Sequence, residues 1–175
     1  MNGPVNNDAE DRRAKRYLAK VISGGQTGVD RAGLDAAIYA GIPVGGYCPA
    51  GRCADDGIIP SKYPLVETAS RKYPVRTRMN VEEADGTLIL ISGSTDRGTE
   101  LTGSLAKQKR KPLLIINLEA PPVENSVSNW IRMNNIHILN IAGPRESSSP
   151  GICMSAFNYL RQLFELLKSE NVPHR

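Results

Sequence analysis

Short runs of apolar, β-branched residues alternate along the chain with segments whose apolar positions recur at helical spacing. Residues 19–23 (AKVIS) predict a first strand, and 29–40 (VDRAGLDAAIYA) predict a helix with Leu34, Ala37 and Ile38 on one face. Gly41 stands where such a helix stops. IPVGGY (42–47) predicts a weaker second strand. TLILIS (87–92) is the strongest strand signal, and its near-continuous hydrophobicity fits a central parallel strand covered on both faces. A helix over 99–110, a strand over 112–117 and a helix over 123–135 follow, the last with Val127, Trp130 and Ile131 on its stripe. A strand over 136–143 and an amphipathic helix over 149–167 complete the pattern. Strands alternating with helices give an α/β domain with a mostly parallel sheet of about five strands. Right-handed crossovers make it an open, Rossmann-like three-layer α/β/α sandwich.

Two regions break the alternation. From Cys48 to Arg78 the chain is rich in Pro, Gly and charge with no sustained period, and a loop of that length is commonly functional. A short turn over 80–85 (NVEEAD) follows, with Asn80 as its expected N-cap and Glu83 three residues on. Residues 1–16 are polar and charged without an apolar stretch, which predicts a flexible tail rather than a signal peptide. Residues 17–170 then form a single ligand-binding domain.

Composition narrows the partners. The chain of 175 residues is 40% hydrophobic and 23% charged, the balance of one globular domain with a real core. No apolar run approaches the roughly 18 residues of a membrane span, so no membrane partner is expected. A net charge of +4 with 5% aromatics is too mild for a nucleic-acid surface, so none is expected either. The basic run Lys107–Lys111 falls where a helix ends and offsets its dipole. Three cysteines without C-x-x-C spacing fit a reduced, cytoplasmic protein, although Cys48 and Cys53 lie close enough in one loop for a metal or redox pair to be the other reading.

The candidate chemistry lies in three turns that each leave a strand and enter a helix. The first, SGGQTGVDRAG (23–33), offers Gly24, Gly25 and Gly28 for close backbone approach, and Gln26 and Thr27 for side-chain hydrogen bonds. Amide donors at a positive helix end make an anion site. GGQTG matches neither the dinucleotide fingerprint nor a Walker A loop. The second turn, SGSTDRGTE (92–100), supplies Gly93, Ser94, Thr95, Arg97, Gly98 and Thr99, with Arg97 as a donor fork for phosphate. Glu100 reads equally as a helix cap and as a catalytic carboxylate. The third, GPRESSSPG (143–151), brings Arg145 and serines. In a sheet ordered 2-1-3-4-5 the first two turns would flank the switch point and the third would sit two strands away, serving a neighbouring subunit instead. In the long loop Arg52 is placed to reach an anion, while Asp55 and Asp56 accept from ring nitrogens or cap a turn. Asp30 either contacts ligand or pairs with Arg31 on an exposed helix start. His137, on a predicted buried strand, reads as core.

The pieces VISGGQTGVDRAGLDAA, GIPVGGYCPAGRCADDGIIP, YPL-x-ET, RT-x-x-N (Arg76 to Asn80), DGTLIL, RGTELT and NIAGPRESSSPGI together resemble the molybdenum carrier protein family, over about Leu18 to Leu167. That family looks like part of the LOG-like group of Rossmann-type nucleotide binders. The resemblance implies a carrier that binds molybdenum cofactor, a phosphate-bearing pterin, or a nucleotide. The cofactor's dithiolene holds the metal, so no protein ligand to a metal is expected. It also implies a small anionic phosphorylated ligand and a homo-oligomer. LOG-type enzymes cleave a nucleotide's N-glycosidic bond with a P-G-G-x-G-T-x-x-E loop. Here the comparable stretch is S-G-S-T-D-R-G-T-E-L, which lacks the double glycine. The sequence therefore favours a binding protein, with a hydrolase using Glu100 or Asp96 as the alternative.

Overall fold

The computed structural model describes residues 18–170. The expected tail, residues 1–16, lies outside the described residues. A five-stranded sheet runs through the centre, built from β1 (Lys20–Ile22), β2 (Val44–Gly45), β7 (Gly86–Ile91), β8 (Leu113–Asn117) and β9 (Ile138–Ala142). Every pairing within it is parallel. Five α-helices cover it among the described residues: α1 (Val29–Tyr39), α2 (Tyr73–Glu83), α3 (Arg97–Gln108), α4 (Glu124–Met133) and α5 (Ile152–Ser169). The α/β/α sandwich expected from the hydrophobic pattern is the observed architecture.

The two faces differ in weight. Alternate side chains of the strands, such as Leu88 and Leu90, join Ala32, Ala36, Val127, Leu160 and Phe164 in the main core beneath α1, α4 and α5. The opposite face is thinner, with Val81 of α2 packed on Leu105 and Ala106 of α3. Among the described residues no helix is long and apolar enough to cross a membrane.

Strand order is 2-1-9-7-8, which corrects the order 2-1-3-4-5. The last strand is inserted in the middle, hydrogen-bonded to β1 on one side and β7 on the other. Counted from β9 as strand one, the sheet reads 3-2-1-4-5, the order of a dinucleotide-binding sheet. β9 and β7 are thus neighbours whose following helices, α5 and α3, go to opposite faces. That is the switch point, and the third turn belongs to it rather than to a distant edge.

The long segment between β2 and β7 is also more ordered than its composition predicts. It contains β3 (Tyr47–Cys48) paired with β6 (Val66–Glu67), the hairpin of β4 (Cys53–Ala54) and β5 (Gly57–Ile58), and then α2. Its own small core of Cys48, Ile59, Tyr63 and Leu65 packs on Leu34 of α1, so the segment sits as a lid over the first turn. Asn80 is no N-cap: it lies in the third turn of α2, where its side chain accepts from the Tyr47 N–H (2.8 Å) and donates to the Tyr47 carbonyl (3.0 Å). His137 precedes β9 and is exposed, not core.

Candidate functional site

A cleft of about 250 Å³ opens at the carboxyl ends of β1, β9 and β7. The first turn contributes Gln26 and Asp30 to its wall, the second Asp96, Arg97 and Gly98, and the third Gly143 and Arg145. The lid side adds Arg76, which the sequence reading missed as a site residue. Its signal was available only in the piece RT-x-x-N, because the surrounding residues show no apolar period.

Asp30 is not on an exposed helix start and does not pair with Arg31. It is 3% exposed, lies 3.2 Å from Arg76 Nη1, and accepts from the Gln26 N–H at 3.3 Å. Burial raises its carboxyl above the usual range, against the lowering pull of Arg76. Arg31 instead forms a two-pronged pair with Asp56 and donates to the Gly25 carbonyl (3.1 Å). Arg76 lies directly against Gly24, where any Cβ would overlap its guanidinium. Gly24 therefore makes room for a side chain of the protein itself. The Arg76 Nε–H is buried with no acceptor among the described residues, a donor left over in the cleft wall.

The other residues of the first turn are largely committed inside the protein. The Thr27 N–H is taken by Gln26 Oε1 (2.8 Å), and the Val29 N–H by the Pro144 carbonyl (3.2 Å). Gly28 has φ +82°, and a Cβ there would collide with backbone of the third turn, so only glycine closes this corner. A Cβ on Gly25 would meet Leu65 and Ile59 of the lid. Thr27 and Gly28 line a separate, more open cavity of about 550 Å³ with Asp55, Asp56, Ser147 and Cys153.

In the second turn Asp96 is the N-cap of α3. Its Oδ1 accepts from both the N–H and the hydroxyl of Thr99, each at 2.8 Å, while Oδ2 lies 3.9 Å from Arg145 Nε. Arg97 begins α3 and makes no hydrogen bond or ion pair among the described residues. Arg97 thus lines the cleft at the N-terminal end of α3, next to the Asp96 carboxylate that caps it. Glu100 is on the other side of the helix, accepting from Thr95 Oγ1 (3.0 Å) in a pocket floored by Ile89. Thr95 and Thr99 line that pocket too, and neither Gly93 nor Ser94 reaches the cleft. The expectation of Glu100 as a cleft carboxylate is corrected. It braces the turn.

Arg145 enters the cleft from the third turn and pairs with Asp55 of the lid at 3.0 Å. Glu146 caps α5, accepting from the N–H groups of Gly151 (2.5 Å) and Cys153 (2.9 Å), so that helix end holds an internal anion already. Arg52 is corrected as well: its guanidinium donates to the carbonyls of Ile59, Leu65, Pro60 and Tyr63 at 2.9–3.1 Å. It ties the lid together and lies outside the cleft. Cys48 is buried in the lid core, where burial pushes its thiol up, and Cys53 accepts from Arg71 Nη2 (3.3 Å). No three His, Cys, Asp or Glu side chains among the described residues are grouped to hold a metal ion.

A parallel sheet with a three-arginine cleft at its switch point defines an open α/β protein with a Rossmann-like sheet. The chain belongs to the circularly permutated YpsA SLOG family, whose model matches residues 21–164. The permutation is visible in the sheet, where β9 and α5 supply the first strand and helix of the 3-2-1-4-5 order from the end of the chain. Among solved structures it is similar to a protein of Syntrophus aciditrophicus SB described as a putative molybdenum carrier protein, with 42% identity, 85% of this chain and 95% of that chain covered, and a TM-score of 0.80. No curated protein matches.

Proposed function

We propose that the protein is a non-catalytic carrier or sensor of a small phosphorylated ligand, either a nucleotide or the phosphorylated pterin of molybdenum cofactor. One observation carries this reading: Arg97, without a partner among the described residues, sits at the N-terminus of α3 in the same cleft as Arg76 and Arg145. A phosphate there receives the Arg97 fork, a charge-assisted donor with no partner to give up among the described residues, at a helix end where the Asp96 carboxylate already holds the Thr99 N–H. The leftover Arg76 Nε–H adds a further donor in the same wall. These features fit a phosphate-bearing group. When bound, molybdenum cofactor brings its metal on its own dithiolene, and the family relative described as a molybdenum carrier favours that ligand. Calorimetric titration with nucleoside monophosphates and with the phosphorylated pterin tests the reading; heat from none of them refutes it.

A second reading, hydrolysis of a nucleotide's N-glycosidic bond by Glu100 or Asp96, keeps Asp96 and gains Asp30, because Glu100 lies outside the cleft. Both carboxylates stand in the cleft wall, within the space a bound nucleotide would occupy. Release of free base from nucleoside monophosphates, lost in Asp30→Asn, supports it, and no release rejects it.

A further inference from the structure

Asp55, in the hairpin between β4 and β5, is gripped by groups from two turns of the sheet edge. Its carboxylate accepts from Arg145 Nη1 (3.0 and 3.2 Å), Ser147 Oγ (2.8 Å) and Gln26 Nε2 (3.1 Å). Its own N–H donates to Gln26 Oε1 at 2.9 Å. A guanidinium, a hydroxyl and an amide converging on one oxyanion are the donors of a phosphoryl site. The sequence offered all three types for an external anion, and the fold spends them on a lid carboxylate.

We infer that Arg145, Ser147 and Gln26 form a second anion site, separate from the N-terminus of α3, which Asp55 holds shut until a phosphoryl group displaces it. The inference rests on the reading of the neighbouring cleft as a phosphate site. Arg145 and Asp55 keep 39% and 25% of their side chains exposed, and an ion pair so wetted contributes little. A phosphate dianion brings twice the charge and a third oxygen, so it competes on favourable terms. Arg145 also faces the cleft, its Nε 3.9 Å from Asp96 Oδ2, so it is shared between both sites. Displacement removes the Asp55 carboxylate's ties to the first and third turns and leaves the hairpin held by the Arg31–Asp56 pair and the Asp55 N–H on Gln26. The cavity of about 550 Å³ beside Thr27 and Ser147 then loses the Asp55 carboxylate from its lining. Ligand arrival is thereby coupled to lid movement.

The test titrates inorganic phosphate, AMP and ADP into the full chain and into Asp55→Asn, which keeps the shape and removes the charge. The expected result is inorganic phosphate binding about tenfold tighter in Asp55→Asn, with the gain abolished by adding Arg145→Ala or Ser147→Ala. Unchanged or weaker phosphate binding in Asp55→Asn overturns the inference, even where AMP binds in an Arg97-dependent way and the carrier reading survives. A gain in phosphate binding supports the inference even where no nucleotide or pterin binds and the carrier reading fails. Amide exchange on the unaltered protein gives an independent readout: saturating phosphate should speed exchange at residues 53–58, and unchanged or slower exchange there counts against displacement. That measurement decides the matter should Asp55→Asn not fold.

Discussion

Arg76 Nη1 lies 3.2 Å from Asp30 Oδ2, with only 13% and 5% of the two side chains exposed. The pair joins the helix that follows the lid to the helix that follows the first strand, and it floors the cleft. Removing one partner strands the other in a medium that penalises charge. Arg76→Ala should cost about 3 kcal/mol in urea unfolding at neutral pH. The loss should shrink in acid, where Asp30 becomes neutral and no longer needs a partner. A loss that is constant across pH would show that the pairing is not its source.

The titration of Asp30 has a defined sign. Its native pKa lies above the unfolded value of 3.8 because burial disfavours the charged form. The native state therefore holds a proton that the unfolded chain releases. This contribution is complete below the unfolded value and is lost as pH rises through the native one. Asp30→Asn should flatten the dependence of the urea midpoint on pH across that window, and an unaltered slope would contradict the assignment.

Arg97 makes no bond inside the described structure, so Arg97→Ala should leave the melting temperature unchanged. Ligand affinity should fall by about 2 kcal/mol, or roughly 30-fold, the worth of a charged hydrogen-bonding group. Glu100→Gln is the matched control. It faces the pocket on the other side of α3 and should leave affinity within about twofold.

Gly28→Ala should destabilise by about 2 kcal/mol or more, because φ is +82° and the new Cβ meets the backbone of Pro144 and Glu146. The sequence reading kept Gly25 free for close backbone approach, so that Gly25→Val would block a ligand. With Leu65 and Ile59 filling that side, it should act by lifting the lid instead. Faster proteolysis within residues 46–67, ahead of any change at the helices, is the measurable sign.

The sequence carried most of the fold and less of the site, for separable reasons. β7 was legible because burial on both faces leaves an uninterrupted apolar run. α2 was not, because its buried face is Thr77, Asn80 and Val81: the spacing is helical, but two of the three residues are polar. The placement of β9 between β1 and β7 depends on pairing between residues more than 50 positions apart, which no local pattern encodes. The site residues divide the same way. Arg97 and Arg145 follow from standing after strands. Asp30 and Arg76 become a site only through each other, and Gln26 and Asp55 acquire their roles through a contact that the lid creates.

The most direct test of the account is a calorimetric titration of AMP, GMP and the phosphorylated pterin of molybdenum cofactor into the protein, beside Arg97→Ala. The account predicts saturable one-site binding of at least one of them, weakened roughly 30-fold by the substitution at unchanged thermal stability. Absence of binding by all three, or binding that Arg97→Ala leaves intact, would contradict the claim that the cleft at the switch point receives phosphate.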